Sequence, residues 1–353
     1  MIRQAVLLLG GRGTRLWPLT EAMPKGLLPV AGLPFVEYQL RLLAEAGVEE
    51  VLLAIGKEHE AAWRSFAERW AGVPGLAVTV EEEALDTAGQ LSWLVRQEPE
   101  ALDERFLVLN GDVHFEVHLP HLLGQLPEAE GVLVLTPVED PSAFGVVVVG
   151  NDQTVERFVE KPPLGTAPAD TISAGMYLLH REALAGFGPG PVSFERQVFP
   201  SLAEQGKLKA VVTDGLWLDI GTPALYLAAH GLVLQGGCRL HRVPGRHWQA
   251  DGSQVAGELR GAWSWIGPGA VVEEGAVVEE AVVLDGARLH GGSRVERAVV
   301  GWDSQVLPGA LVRDFALVGE GCRIGPECEL AGGVRVAPGA RLGLRWISFS
   351  PPP

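Results

Sequence analysis

A six-residue spacing of aliphatic side chains in the C-terminal third constrains the fold of this chain more than any other feature of its sequence. From position 300, every sixth residue is aliphatic: Val300, Val306, Val312, Val318, Ile324, Leu330, Val336 and Leu342. Small or apolar residues follow at a fixed offset of four: Ala310, Ala316, Cys322, Cys328, Val334 and Ala340. This pattern predicts a triangular parallel β-solenoid with one hexapeptide on each side.

The same period begins earlier in the chain, with Ile266, Val272, Val278 and Leu284. The register slips near Leu289 and again before Val300. The repeat resembles the left-handed β-helix of hexapeptide-repeat proteins, which we expect over residues 263–345. The three cysteines form no CxxC pair and no zinc-ligand spacing, so we interpret Cys238, Cys322 and Cys328 as packing residues.

Up to residue 235 the pattern is different, because short apolar runs alternate with amphipathic stretches. We predict strands over 5–9, 51–55, 76–80 and 106–109, and helices over 34–46, 58–70, 192–206 and 223–235. Residues 132–179 are rich in strand signals, and we interpret them as an excursion of the chain from the sheet on the substrate side. This order predicts an α/β domain over 1–235 with a Rossmann-like, mostly parallel sheet, whose ligands lie beyond the carboxyl ends of the strands. Residues 236–262 lack clear periodicity, and we interpret them as a linker or adapter.

The length and net charge of the chain limit its possible domain organisation and binding partners. A chain of 353 residues is long enough for two domains. A net charge of −16 argues against a nucleic-acid or anionic-membrane partner, for which a basic surface is expected. The first apolar run is too short for a signal peptide and no run of about 18 apolar residues occurs, so we expect a cytoplasmic protein.

The stretch LLGGRGTRLWPLTEAMPK, residues 8–25, follows the first predicted strand. Glycines at 10, 11 and 13 allow successive backbone N–H groups to point into one anion-binding concavity. Arg15 and Lys25 add positive charge. No Lys-Ser or Lys-Thr follows the glycines, so the loop differs from that of P-loop ATPases. The stretch predicts a polyphosphate site.

Further motifs follow in order: TAG at 87–89, Asn-Gly-Asp at 110–112, Glu-Lys-Pro at 160–162 and WLDIGTP at 217–223. Together with GGRGTRL, they resemble the sugar-1-phosphate nucleotidyltransferases, especially mannose-1-phosphate guanylyltransferases, over residues 1 to about 235. The resemblance implies that the nucleotide phosphates are held at Gly10, Gly11, Gly13 and Thr14, and that Gly111 also binds the nucleotide. It also implies that Arg15 and Lys25 neutralise the departing pyrophosphate. Leu9 stands where alanine is usual, which would narrow the nucleoside pocket.

The resemblance also implies a metal site. Asp112 and Asp219 match the two metal-binding aspartates of the family. Two carboxylates at separate strand ends suit Mg²⁺, which takes few protein ligands together with phosphate oxygens and waters.

The sugar phosphate is implied to bind at four residues. Glu160 would hold sugar hydroxyls, Lys161 the phosphate, and Gly145 would face the sugar with its backbone. Ser173 stands where asparagine is frequent.

An acidic run precedes Thr87-Ala88-Gly89, where Asp86 replaces the first glycine of the family motif. Guanine presents two adjacent donors, N1–H and the exocyclic amine, so a carboxylate suits it, whereas glutamine would fit uracil or thymine better. We therefore assign base recognition to Glu82 and Glu83 and favour GTP.

The predicted reaction joins an NTP, GTP in our interpretation, to a sugar 1-phosphate and releases pyrophosphate. Heptose-1-phosphate guanylyltransferases and glucose-1-phosphate thymidylyl- or uridylyltransferases are close alternatives. A bifunctional acyltransferase using His290, the one histidine of the solenoid, and a catalytically silent regulatory subunit are more distant ones. We expect a homo-oligomer formed through the β-helix.

Overall fold

The computed structural model describes residues 2–70, 72 and 75–349. Among the described residues, the strands before residue 220 are β1 Gln4–Leu8, β2 Pro29–Val30, β3 Leu33–Pro34, β4 Glu50–Gly56, β5 Gly75–Glu81, β6 Arg105–Asn110, β7 Val113–Glu116, β8 Gly131–Pro137, β9 Gly145–Val149, β10 Val155–Glu160, β11 Thr171–His180, β12 Leu208–Val212 and β13 Leu216–Asp219. The α-helices are α1 Leu19–Ala22, α2 Phe35–Glu45, α3 Glu60–Arg69, α4 Asp86–Gln97, α5 Leu119–Gln125, α6 Glu182–Ala185, α7 Phe199–Glu204 and α8 Pro223–Leu234. A π-helix, Phe194–Val198, precedes α7. Short 3-10 helices occur at Thr14–Leu16, Lys25–Leu27, Lys57–His59, Pro99–Ala101 and Pro141–Ala143.

The C-terminal strands are shorter. They are β14 His247–Gln249, β15 Gln254–Val255, β16 Glu258–Arg260, β17 Ser264–Ile266, β18 Val271–Val272, β19 Val277–Glu279, β20 Val282–Val283, β21 Arg288–Leu289, β22 Arg294–Glu296, β23 Val299–Val300, β24 Gln305–Val306, β25 Leu311–Arg313, β26 Leu317–Val318, β27 Arg323–Ile324, β28 Glu329–Ala331, β29 Arg335–Val336 and β30 Ile347–Phe349. Within the described ranges, the helices are too short or too polar to cross a bilayer.

The chain divides into two compact units, each built from two segments. Unit 1 comprises Met1–Gly11 and Gln39–Trp217, and unit 2 comprises Arg12–Tyr38 and Leu218–Pro353. Segment 12–38, which carries most of the glycine-rich stretch, therefore belongs with the C-terminal part of the chain. The sequence pattern did not indicate this grouping.

Unit 1 is built on a mixed sheet with the strand order β10-β9-β11-β6-β1-β4-β5, and β8 joins β11 to β12. Strands β4, β5 and β6 run parallel to their neighbours around β1. In contrast, β11 is antiparallel to β6, β8 and β9, because it returns from the predicted excursion. The α/β class is confirmed, and the antiparallel strands make the sheet less parallel than we predicted.

The core of unit 1 lies where this sheet meets α4, α6, α7 and the π-helix. Its fully buried aromatic side chains include Phe106, Tyr177, Phe194 and Phe199. The predicted helix over 192–206 is present in two parts, since the π-helix precedes α7. The sheet therefore has rigid support beneath the strand ends where ligands are expected.

Unit 2 contains a β-helix of three parallel sheets. Their strand orders are β14-β17-β20-β23-β26-β29, β15-β18-β21-β24-β27 and β16-β19-β22-β25-β28-β30. The inward-facing aliphatic residues and the small residues between them form one buried cluster, which includes Cys322 and Cys328. This architecture confirms the predicted β-helix. Its first coil already lies within 236–262, because β14, β15 and β16 pair with the next coil.

The coils change length along the β-helix. Val282 pairs with Val299, 17 residues later, whereas Val299 pairs with Leu317, 18 residues later. In the shorter coils, two consecutive inward-facing residues are separated by five positions instead of six. Val278 is therefore followed in the core by Val283. The prediction that Leu284 faces inward is wrong: its side chain packs in a separate apolar cluster of unit 2.

The changing length is located at one corner. The five-residue steps contain one left-handed residue, Glu280 or Arg297. The matching six-residue step contains two, Asp314 and Phe315. An extra left-handed residue therefore lengthens the coil without changing the three sheets.

Segment 12–38 packs within unit 2 against α8 and the β-helix. The shared apolar cluster is fully or almost fully buried and includes Leu16, Leu28, Val30, Phe35, Tyr226, Ala229, Trp263, Trp265 and Leu284. Strands β2 and β3 form a small antiparallel hairpin within this segment. At a second place, Arg335 Nη1 of β29 donates a hydrogen bond to the Trp17 carbonyl at 3.1 Å. The β-helix therefore supports the glycine-rich stretch directly.

Candidate active site

In unit 1, the first glycines follow the carboxyl end of β1. The Leu9 N–H donates to the Ala54 carbonyl of β4 at 2.7 Å, which fixes the chain as it leaves the sheet. Gly10 and Gly11 are exposed. A Cβ atom at Gly10 would lie 3.2 Å from Glu81 Oε2, so this carboxylate directly adjoins the loop.

Glu81 is the member of the acidic run that the sequence analysis omitted. It ends β5 and is half-buried, and its Oε1 accepts a hydrogen bond from Leu85 N–H at 2.6 Å. Burial raises the pKa of the Glu81 carboxyl, while this hydrogen bond acts in the opposite direction. Glu82 is 69% exposed and pairs with Lys57, and Glu83 is exposed. Among these three carboxylates, Glu81 is the one we place beside the first glycine.

Helix α4 begins at Asp86, which has a φ of 65°. This left-handed conformation favours glycine and tolerates aspartate, which explains how Asp86 stands in the glycine position of the family motif. Its carboxylate accepts from Thr87 N–H at 2.8 Å and pairs with Arg196. Ala88 and Gly89 are buried in the first turn.

Thr87 connects α4 to the π-helix. Its hydroxyl accepts from Phe194 N–H at 2.9 Å and donates to Glu195 Oε2 at 2.9 Å. Ser193 Oγ also donates to Glu195 Oε2, at 3.0 Å. Sequence reasoning missed Glu195, because it lies in none of the motifs named above. Its carboxylate is therefore fixed by two hydroxyl groups.

Asp112 follows β6, and Gly111 is needed immediately before it. A Cβ atom at Gly111 would lie 2.2 Å from Leu9 Cδ2 and 2.6 Å from the Leu8 carbonyl oxygen, so only glycine fits. Gly111 N–H donates to that carbonyl at 2.9 Å. The structure thus brings together Leu9, Gly111 and the half-buried Asp112 at the ends of β1 and β6.

Tyr177 lies near this group. Its hydroxyl donates to Asn110 Oδ1 at 3.2 Å, and it is fully buried. Burial raises the pKa of Tyr177 well above its ordinary value, and the negative charges of Glu195 and Asp112 add to the shift. Ser173 lies beside the same hydroxyl. The Tyr177 phenol therefore stays protonated at physiological pH.

The predicted sugar-phosphate residues Gly145 and Glu160 meet across the β9–β10 ladder, where they are paired. A Cβ atom at Gly145 would lie 3.0 Å from Glu160 Oε2 and 2.5 Å from the Phe158 ring. Lys161 Nζ lies 3.1 Å from Glu160 Oε1 and is 66% exposed. The structure therefore places three of these four predicted residues in one group.

In unit 2, Gly13 and Lys25 are adjacent. Gly13 has a φ of 60°, and a Cβ atom there would lie 3.1 Å from Lys25 Cβ. Thr20 Oγ1 donates to the Gly13 carbonyl at 3.1 Å, which closes this turn of the chain. Thr14 is exposed at the start of a 3-10 helix, and Lys25 is half-buried.

Arg15 and Asp219 converge on Gly221. A Cβ atom at Gly221 would lie 2.6 Å from Asp219 Oδ1 and 3.1 Å from Arg15 Nη2. Gly221 N–H also donates a hydrogen bond to Asp219 Oδ1. Unit 2 therefore places a guanidinium group and the predicted metal-binding carboxylate of β13 around one glycine.

Each unit supplies one of the two carboxylates that the sequence predicts as metal ligands, and each is a donor that suits a hard divalent cation. Asp112 and Asp219 each follow or end a strand, and both are half-buried. Carboxylate oxygens are the ligands that Mg²⁺ prefers, and one or two suffice when phosphates supply the others. His290, in contrast, lies on the β-helix with its Nδ1 3.2 Å from Glu273 Oε1, which also pairs with Arg288.

Residues 4–236 of the chain match the nucleotidyl transferase family, and residues 259–343 match the GMPPB C-terminal domain. Mannose-1-phosphate guanylyltransferase 1 of Arabidopsis thaliana is 33% identical over 349 residues, which cover 94% of this chain and 95% of that protein. The mannose-1-phosphate guanylyltransferase catalytic subunit beta of Danio rerio is 38% identical over 237 residues, covering 66% of this chain and 65% of the relative.

Solved structures give a similar result for the N-terminal part. HddC from Yersinia pseudotuberculosis, complexed with GMP-PN, superimposes with a TM-score of 0.55 and 26% sequence identity. The match covers 65% of this chain and 98% of the HddC chain.

Proposed function

The chain belongs to the nucleotidyl transferase family, and we propose that it converts GTP and mannose 1-phosphate to GDP-mannose and pyrophosphate. The observation that carries the choice of GTP is the half-buried Glu81 carboxylate beside Gly10. Relatives that span nearly the whole chain are named for mannose 1-phosphate, and they support the choice of sugar.

Glu81 suits guanine for a chemical reason. An ionised carboxylate has two acceptor oxygens, which match the adjacent N1–H and amine donors of guanine. Oε1 is already engaged by Leu85 N–H, so the carboxylate is held in a fixed orientation. We therefore shift the proposed base recognition from Glu82 and Glu83 toward Glu81.

The reaction needs no covalent enzyme intermediate. An oxygen of the sugar phosphate attacks the α-phosphorus in line; the new O–P bond forms as the bond to pyrophosphate breaks, and the electron pair leaves with pyrophosphate. The nucleophile is already anionic at neutral pH, so a general base is not required. The protein's task is to position two anions that repel each other and to stabilise the transition-state charge.

The named residues divide this task. Lys161 binds the sugar phosphate, and Glu160 orients the sugar hydroxyls next to the backbone of Gly145. Arg15 and Lys25 neutralise the departing pyrophosphate.

Asp112 and Asp219 would hold Mg²⁺, because their carboxylates supply hard oxygen ligands. When bound, the cation neutralises phosphate oxygens. The remaining protein groups bind and orient the two substrates.

A substrate panel tests the proposal. GTP, ATP, UTP and dTTP are each combined with mannose, glucose and heptose 1-phosphates, and pyrophosphate release is measured. GTP with mannose 1-phosphate should give the highest kcat/KM. A preference for heptose 1-phosphate, or for UTP or dTTP, would replace the proposal with one of the alternatives named from the sequence. Turnover by the purified chain alone excludes a silent regulatory subunit.

We also propose self-association through the β-helix and a cytoplasmic location. The last coil exposes Trp346, Ile347 and Phe349 at 54%, 60% and 56%, and such apolar ends favour burial against a partner. Light scattering should give a mass at least twice 37.6 kDa. Cys322 and Cys328 are buried thiols outside any disulfide, which fits a reducing compartment.

A further inference from the structure

His230 lies in the middle of α8 and is fully buried, although it belongs to none of the sequence motifs. Its Nδ1 accepts a hydrogen bond from Ala31 N–H at 3.2 Å. The ring proton therefore lies on Nε2, which donates to the Pro29 carbonyl at 3.0 Å. One side chain on α8 thus binds two main-chain groups of the β2–β3 hairpin.

The hairpin has further polar support within unit 2. Tyr226, one turn earlier on α8, donates its hydroxyl to the same Pro29 carbonyl at 2.6 Å. Tyr38 donates to the Val30 carbonyl at 2.8 Å, and His241 Nε2 lies 3.0 Å from the Ala31 carbonyl. These bonds fix the main chain of the hairpin residue by residue.

The other faces of His230 contact the β-helix. Its ring stacks on Trp263, with centroids 6.1 Å apart and planes 17° apart, and Trp265 lies at 6.2 Å. Trp265 also touches the hairpin, because a Cβ atom at Gly32 would lie 2.7 Å from its ring. His230 therefore lies where the hairpin, α8 and the β-helix meet.

The hairpin follows Lys25, a proposed pyrophosphate ligand, and α8 follows Asp219, a proposed metal ligand. The Lys25 carbonyl accepts from Leu28 N–H at 3.1 Å, immediately before the hairpin begins at Pro29. Helix α8 begins at Pro223, shortly after Asp219. A displaced hairpin would therefore move Lys25 relative to Asp219.

We propose that His230 is a positioning residue, which fixes the Lys25 turn relative to α8 and the β-helix through its two main-chain hydrogen bonds. The proposal rests on the proposed function, since it takes Lys25 as a ligand of pyrophosphate. It assigns the β-helix a part in holding the reacting phosphates, through Trp263 and Trp265.

The imidazole is suited to this role at physiological pH. Burial lowers the pKa of His230 to about 3, so the ring stays neutral and keeps one acceptor and one donor. A protonated ring would lose the acceptor for Ala31 N–H.

Two substitutions separate the hydrogen bonds from the packing. His230→Phe keeps an aromatic ring against Trp263 and loses both hydrogen bonds. His230→Gln restores an acceptor oxygen and a donor nitrogen. Pyrophosphate binding in the presence of Mg²⁺ is measured by calorimetry, and KM values are measured for both substrates. We expect His230→Phe to weaken pyrophosphate binding by about 10- to 100-fold, with the KM for mannose 1-phosphate nearly unchanged, and His230→Gln to recover most of the loss.

A matched control is Val233→Ala, which removes apolar volume from the same helix and cluster. It should lower Tm and leave pyrophosphate binding unchanged. If a folded His230→Phe chain binds pyrophosphate as the wild type does, or if His230→Gln is equally impaired, the positioning role is wrong. Should His230→Phe not fold, Tyr226→Phe removes one donor to Pro29 and must weaken pyrophosphate binding in the same direction.

Failure of the proposed function gives a different result. A wild-type chain that binds pyrophosphate and loses it on His230→Phe, but makes no GDP-mannose, would retain the positioning role and refute the proposed substrates.

Discussion

The two units hold their functional side chains by different means. In unit 1, Asp112 and Glu160 lie at the ends of strands whose register fixes them within one sheet. In unit 2, Lys25 lies on the short segment 12–38, whose two strands pair only with each other. The position of Lys25 therefore depends on the hydrogen bonds that join the hairpin to α8. Site residues in unit 1 should respond to local substitutions alone, whereas those in unit 2 should also respond to distant ones.

The largest expected effect tests whether both units are essential. Asp112→Ala and Asp219→Ala should each lower kcat by about 10³-fold, because each removes a proposed Mg²⁺ ligand. Steady-state rates at several Mg²⁺ concentrations, together with Tm, measure this. Asp152→Ala and Asp251→Ala are exposed controls from the same two units. Near-normal kcat at limiting Mg²⁺ in either site variant would remove that carboxylate from the metal assignment.

The next effect separates the substrates by unit. Lys161→Ala, in unit 1, should raise the KM for mannose 1-phosphate, while Lys25→Ala, in unit 2, should weaken pyrophosphate binding. Each should lower kcat/KM by about 10²-fold, since each removes a charge that opposes a phosphate. Lys207→Ala, a lysine paired with Glu130, is the control. If Lys161→Ala and Lys25→Ala changed the KM for mannose 1-phosphate and pyrophosphate binding equally, the assignment of one phosphate group to each unit would be wrong.

A smaller effect concerns recognition of the nucleobase. Glu81→Gln should lower kcat/KM for GTP about tenfold, because the amide replaces an acceptor with a donor. The low kcat/KM for other NTPs should change less. Competition between GTP and UTP measures the selectivity. Glu82→Gln and Glu83→Gln test the sequence-based assignment in parallel. A larger loss there than at Glu81 would return base recognition to those two residues.

The smallest effect is on stability. Burial raises the pKa of Glu81 in the folded chain, so its protonated form is favoured by folding. That contribution is present at acidic pH and is lost as pH rises through the raised pKa. Glu81→Gln should therefore raise Tm slightly at pH 7 and not at pH 4, measured by thermal denaturation. An increase of equal size at both pH values would show that ionisation of Glu81 is not the cause.

The sequence predicted the features that depend on a repeated or local pattern. The β-helix followed from aliphatic spacing, and the placement of Gly145 and Glu160 in one group was implied by the family resemblance. Glu81 was missed because three consecutive glutamates look alike until the end of β5 is known. His230 was missed because a histidine in an apolar helix has no motif, and its partners are main-chain groups almost 200 residues away.

Leu284 shows a similar limit. A fixed period of six placed it inward, whereas the coil had already been shortened by one residue, so Val283 took the core position. Periodicity predicts a class of fold, and the corners decide which side chain is inside.

The corner that has one left-handed residue in two successive coils and two in the next also has a consequence for how such chains diverge. Because 17- and 18-residue coils coexist in one β-helix, single-residue insertions and deletions can accumulate there without disturbing the sheets on either side. A one-codon deletion at Asp314 or Phe315 would give this coil the length of its predecessors. Alignments of related chains should accordingly place their gaps at this corner, in register with Glu280 and Arg297, rather than within the strands.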